Sequence, residues 1–165
     1  MNIIEIFTKS LFLIISFDND LWEIIILSLY VSIFALIVAS IFGLLIGYYI
    51  ALKNFPFKSF ILIVLNSLMG IPPVVVGLIV YFLFASGGPF GILQLLYTPT
   101  AMIIAQVIII FPIVTSISHE IFDQNWREFK DQLRSINMPF FGVAFIITKH
   151  SYSLVITALL SAFGK

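Results

Sequence analysis

The stretch IIILSLYVSIFALIVASIFGLLIGYYIAL, from Ile24 to Leu52, runs for 29 residues without a lysine, arginine, aspartate or glutamate. A helix crosses the hydrocarbon core of a bilayer in about 20 apolar residues, so this stretch is long enough for one span. Ser28, Ser32, Ala35, Ala39, Gly43 and Gly47 recur within it at steps of three and four, which places them on one helical face. Small residues let helices approach closely in lipid, where the hydrophobic effect no longer drives association. The face serves either packing within the chain or a seam with a second copy.

A second charge-free stretch, from Ser59 to His119, covers 61 residues and holds two further spans. Of the 165 residues, 61% are hydrophobic and 10% charged, against about half and about a quarter in soluble domains. The mean hydropathy of +1.17 agrees. The reading is an all-α integral membrane protein with spans at about 24–52, 59–85 and 97–117 and a partial one at 151–165. The segment 118–139 lies outside the membrane. Residues 151–165 reach only about 22 Å at about 1.5 Å each, short of a core of about 30 Å.

Composition removes several kinds of chemistry. With no cysteine there is no disulfide, thiolate metal site or cysteine nucleophile. Two histidines, His119 and His150, sit at span ends and leave a metal or haem site in the membrane without ligands. Zero net charge provides no footprint for nucleic acid.

The link Lys53–Lys58 carries two lysines, the link from Ala85 to Tyr97 carries no charge, and the link from Ser118 to Met138 carries Arg127, Lys130 and Arg134. Positive links face the cytoplasm, so the first and third are expected inside and the start of the first span outside. Asp18, Asp20, Trp22 and Glu23 flank that outer end. Residues 1–20, interrupted by Glu5 and Lys9, read as an interfacial helix and outer flank resting on lipid, the alternative being a marginal extra span.

Gly70-Ile-Pro-Pro-Val-Val-Val-Gly77 lies near the middle of the second span. Pro72 and Pro73 lack N–H groups, which leaves the carbonyls of Leu68 and Met69 without their usual helical donors. Freed backbone at that depth must be buried in protein or line a watery cavity. Gly70, Pro72, Pro73 and Gly77 are therefore candidates for a solute pathway, a simple packing kink being the other reading. Asn66 and Gln106 are the amide side chains deep in the spans; they are expected to pair by one interhelical hydrogen bond, or to touch the solute.

No charged side chain occurs inside the spans. Proton- and sodium-driven transporters ordinarily keep one there for the coupling ion. Uphill transport would then draw its energy from another chain, and three or four helices need a partner copy to enclose a path.

In the segment from His119 to Pro139, Phe122, Trp126, Phe129, Leu133 and Ile136 recur on one helical face. Such a short amphipathic helix either rests on lipid or inserts into a groove of a soluble partner.

Taken in order, several strings resemble permease subunits of ATP-binding-cassette importers for oxyanions. They are Ser28-Leu-Tyr-Val-Ser32, Gly43 to Gly47, Leu68-Met-Gly-Ile-Pro-Pro-Val-Val-Val-Gly77, Ser86-Gly-Gly-Pro-Phe-Gly91, Leu96-Tyr-Thr-Pro-Thr-Ala-Met-Ile-Ile-Ala-Gln106 and Phe111-Pro-Ile-Val114. The resemblance is strongest to the tungstate branch, related to molybdate and sulfate permeases, and covers about residues 20–165.

The resemblance implies the type I importer fold over residues 21–165 and a place in a bacterial or archaeal cytoplasmic membrane. It implies a second permease copy, cytoplasmic ATPase subunits that bind the ATP and magnesium, and an extracytoplasmic solute-binding protein. This chain itself would carry no cofactor and catalyse no reaction. The family's coupling helix falls on the 118–139 segment, making Trp126, Glu128, Phe129, Asp131, Leu133, Ile136 and Asn137 the ATPase-coupling candidates. Here the family's Glu-Ala-Ala-x-x-x-Gly pattern appears as Glu128, Lys130, Asp131 and Gln132, with Ile136 near the usual glycine. The family continues with one more span where this sequence stops, so a shortened permease is expected. The expected function is ATP-driven import of tungstate or a related oxyanion by alternating access. A membrane scaffold, a passive channel and an inactive remnant are the rival readings.

Overall fold

The computed structural model describes residues 19–135 and, beyond them, Gly142, Phe145, Ile146, Lys149, Ile156, Thr157 and residues 159–161. The interfacial helix expected before residue 19, the side chains of Asp131 and Leu133, Ile136, Asn137 and most of the 151–165 span lie outside the described residues. The regular elements among the described residues are helices, with no strand: α1 (Asn19–Leu52), α2 (Lys58–Met69), α3 (Pro73–Phe84), a 3₁₀ turn (Gly91–Leu93) and α4 (Pro99–Ser135).

The core forms where α1 meets α4. Ala35, Ala39 and Val114 are fully buried, with Ile110 and Ile113 beside them. Each glycine of the small-residue face sits against a neighbour that leaves no room for a side chain. A Cβ on Gly43 would lie 2.9 Å from Val114 Cγ1. Thus Ala35, Ala39, Gly43 and Gly47 are consumed by packing within the chain. Exposed along the rest of α1 are Ile26, Ile33, Ile37, Ile41, Phe42 and Leu45, as a lipid-facing surface requires.

Contacts between α1 and α4 advance together, from Ser32 with Gln106 to Tyr48 with Phe122, so the two helices run parallel. The chain between them must therefore return across, and the α2–α3 pair is the returning limb. At one end Lys58 lies level with Asp123. At the other, Val76, Val80 and Phe84 pack with Ile104, Ala105 and Ile109. From Asp123 to Ile104 is about 28 Å of helix, close to the thickness of a hydrocarbon core of about 30 Å.

That limb differs from one kinked span. It is two 12-residue helices, bent by 98° across Gly70–Pro72. Pro73 takes the first position of α3, where its missing N–H is no loss, and Pro72 is extended at φ −59°, ψ 136°. The two prolines thus begin a new helix rather than bend an old one. Nor is the Leu68 carbonyl left bare, because the Ile71 N–H donates to it at 3.2 Å in a tightened turn.

The third span has no end at residue 117. α4 continues without a break for 37 residues, about 55 Å at 1.5 Å per residue, from the apolar stretch through the charged segment. Nothing near residue 118 stops a helix, and Asn125 bonds its own turn through the Ile121 carbonyl at 2.8 Å. Thr98 opens α4 by accepting a hydrogen bond from the Ala101 N–H at 3.4 Å, with Pro99 as the first helical residue. In the preceding loop the Phe90 N–H donates to the Leu83 carbonyl at 2.9 Å. A Cβ on Gly88 would lie 2.1 Å from the Phe82 carbonyl oxygen, so no larger residue fits there.

Candidate functional site

Asn66 and Gln106 do not meet. Gln106 donates through Nε2 to Ser32 Oγ on α1 at 3.1 Å. Asn66 accepts through Oδ1 a short hydrogen bond from Ser116 Oγ on α4. Ten residues of α4, about 15 Å, separate Gln106 from Ser116, so each amide takes the hydroxyl that faces it. This corrects the expected Asn66–Gln106 pair. In an apolar surrounding either hydrogen bond contributes roughly 0.5–2 kcal/mol.

Gly70, Pro72 and Pro73 stand together at the break, exposed on the limb. Gly77, one turn into α3, has open space where a Cβ would project. Below the break lies an apolar cavity of about 150 Å³ between Leu68, Met69, Pro73, Val76, Ile109 and Ile113. The four pathway candidates of the Pro-Pro motif are thus one locus, with Asn66 one turn before it on α2 and Gln106 on the other side of α4.

The charged end of α4 makes the second locus. Asp123 Oδ2 accepts from Arg127 Nη2 at 2.8 Å, and Asp123 Oδ1 lies 3.7 Å from Lys58 Nζ on α2. Lys58 Nζ also donates to the Ala51 carbonyl in the last turn of α1 at 3.3 Å. An open cavity of about 460 Å³ adjoins these groups, lined by Asn66, Ser116, His119, Glu120, Gln124 and Arg127 among others. His119 Nε2 is buried there without a hydrogen-bond partner among the described residues. Lys58, Ser116 and Asp123 carry this locus; the i, i+4 spacing makes the Asp123–Arg127 pair legible in the residues alone, but not the approach of Lys58 to Asp123 or of Ser116 to Asn66. The residues alone present a basic side chain at the start of one helix and an acidic one in the charged part of another, which says nothing of their meeting.

Of the coupling candidates, Trp126 and Phe129 are half-buried against Tyr48, Ala51 and Phe122, with the rings of Tyr48 and Phe122 meeting edge-to-face at centroids 5.5 Å apart. Part of the expected partner-facing surface therefore packs on the chain's own α1. Glu128 is exposed and points away from this cluster. Asp131 and Leu133 lie in the last turn of α4.

Two long apolar helices, a returning limb broken between its two halves and a charged helical extension define a polytopic membrane protein. The chain belongs to the family of binding-protein-dependent transport system inner membrane components, whose pattern matches residues 39–165. This is a membrane permease family, not a family of enzymes. The chain is 40% identical over 119 residues to the tungstate uptake system permease protein TupB of Peptoclostridium acidaminophilum, covering 72% of this chain and 52% of that protein. It is 33% identical over 138 residues to a probable anion ABC transporter permease protein of Haloferax volcanii, covering 84% and 60%. Against the sulfate transport system permease protein CysW of Escherichia coli K12 it is 27% identical over 103 residues, covering 59% and 35%. The chain spans about half the length of the curated relatives it matches.

Proposed function

We propose that this chain is the membrane-spanning permease of an ATP-driven importer for tungstate or a related tetrahedral oxyanion such as molybdate or sulfate. The observation that carries the reading is its 40% identity to a tungstate uptake permease over a region that includes the Pro-Pro break. The geometry suits alternating access. α4 is one continuous helix from beside the break to the charged end, with Pro112 inside it, so a displacement of that end reaches the level of the break within a single element. In the proposed cycle two permease copies enclose the path, two ATPase subunits grip the charged ends on the cytoplasmic side, and an external binding protein delivers the anion. The lack of lysine and arginine in the spans lets a dianion pass without being held.

The test is to co-express the permease with an ATPase and binding protein of the tungstate type and measure ATP-dependent uptake of labelled tungstate, with molybdate and sulfate as competitors. Uptake that requires all three components is the expected result. A permease that inserts in the membrane yet neither retains the ATPase nor supports uptake would overturn the reading in favour of a scaffold or passive channel.

A further inference from the structure

Lys58 stands at a place that helix formation does not explain. It is the first residue of α2, where a cation opposes the positive end of the helix dipole. What holds it there is external. Its ammonium group donates to the Ala51 carbonyl, one of the unsatisfied carbonyls ending α1, and faces Asp123 of α4. One cation therefore joins three helices. The site is sheltered, with the Lys58 and Asp123 side chains only 19% and 18% exposed, while Arg127 is 75% exposed. Sheltered pairs are screened less by salt than surface pairs.

A second polar contact lies further along the same two helices, where Ser116 of α4 donates to Asn66 of α2. Lys58 and Asn66 are eight residues apart on α2, about 12 Å, and Asp123 and Ser116 are seven apart on α4, about 10 Å. The spacings match for antiparallel helices. Apolar packing adds little between the contacts, since Leu65 is the one buried residue of α2. Two polar points, rather than a core, hold α2 to α4.

We infer that Lys58–Asp123 and Asn66–Ser116 form a two-point clamp that makes α2 follow α4, so that displacement of the charged end of α4 is delivered to the break at Gly70–Pro72. Lys58, Ser116 and Asp123 are then positioning residues of the transport cycle. The inference rests on the proposed transport function for its purpose, but its physical core is the attachment itself.

The attachment is measured in the whole permease in lipid nanodiscs, whose native sequence here has no cysteine to interfere. Spin labels at exposed Phe60 of α2 and Glu128 of α4 report the limb, and labels at exposed Leu45 of α1 and Glu128 serve as control. Lys58→Met and Asp123→Asn should each broaden the Phe60–Glu128 distance distribution at least twofold and leave the control pair sharp. The double variant should be broader than the native protein by less than the sum of the two single effects, because both lose the shared Lys58–Asp123 contact while Lys58 alone also holds the Ala51 carbonyl and Asp123 alone also holds Arg127. Lys58→Arg should keep the native width. An unchanged width in Lys58→Met, which leaves α4 untouched, overturns the clamp, as does simple addition of the two single effects.

In the complete transporter, Asp123→Asn should lower anion uptake about tenfold per ATP hydrolysed while hydrolysis itself continues. If the native permease moves no oxyanion, the proposed function fails and the distance measurement still decides the clamp. If the native permease transports and Asp123→Asn matches it, the clamp fails and the proposed function stands.

Discussion

A Cβ added to Gly47 of α1 would lie 2.8 Å from Ser118 Cβ of α4, and as close to the Thr115 carbonyl oxygen. Backbone stands on the far side, so neither helix yields by a side-chain rotation. Gly47→Ala should destabilise the fold by about 1–3 kcal/mol through overpacking. Gly77→Ala, which projects into open space inside α3, should leave stability unchanged or raise it by up to about 1 kcal/mol and serves as the control. Thermal unfolding in detergent, followed by tryptophan fluorescence, measures both. Equal stability of the Gly47 variant would mean that the two helices pack less closely than described.

The Ser32–Gln106 hydrogen bond makes its own prediction. Ser32→Ala and Gln106→Leu should each cost about 0.5–2 kcal/mol, and the double variant should cost less than their sum. A denaturant titration over the four proteins checks this. Full additivity would show that the two side chains act separately.

At the break, Val74 is 82% exposed on the first turn of α3 and Ile63 is 63% exposed on α2. If the break lines a watery path, a cysteine at Val74 should react with a membrane-impermeant thiol reagent, at least in one nucleotide state. A cysteine at Ile63, on a lipid-facing surface, should stay unreactive. Protection of Val74 in every state would reduce the Pro-Pro break to a packing device.

The charged end of α4 separates stability from association. Trp126 is half-buried against the Tyr48–Phe122 cluster, so Trp126→Ala should lower the unfolding temperature as well as any grip on an ATPase. Exposed Glu128 contributes nothing to that cluster, and Glu128→Arg should leave unfolding unchanged while weakening ATPase retention about tenfold or more. Pull-down of the ATPase beside a melting curve distinguishes the two. Normal retention by Glu128→Arg would place the contact elsewhere on α4.

Membrane residence, the number of apolar stretches and the Gly70–Pro73 break were legible in the residues alone, and so was the family, from the motif strings. The reason is that lipid cannot satisfy a bare peptide group or hydrate a charge, so a long charge-free stretch has few alternatives to a spanning helix. The small-residue face of α1 was legible as a packing surface, but what it packs on was not. Ala35, Ala39, Gly43 and Gly47 fit any close neighbour, and only the tertiary structure presents Val114 and Ser118 to them. Asn66 and Gln106 were visible as polar groups in need of partners, yet each bonds whichever hydroxyl the helix opposite places within about 3 Å. The 98° turn, the unbroken run of α4 past residue 117 and the meeting of Lys58 with Asp123 have the same origin. Residues distant in the chain choose among locally permitted conformations by packing against one another, and that choice is not written in any single stretch.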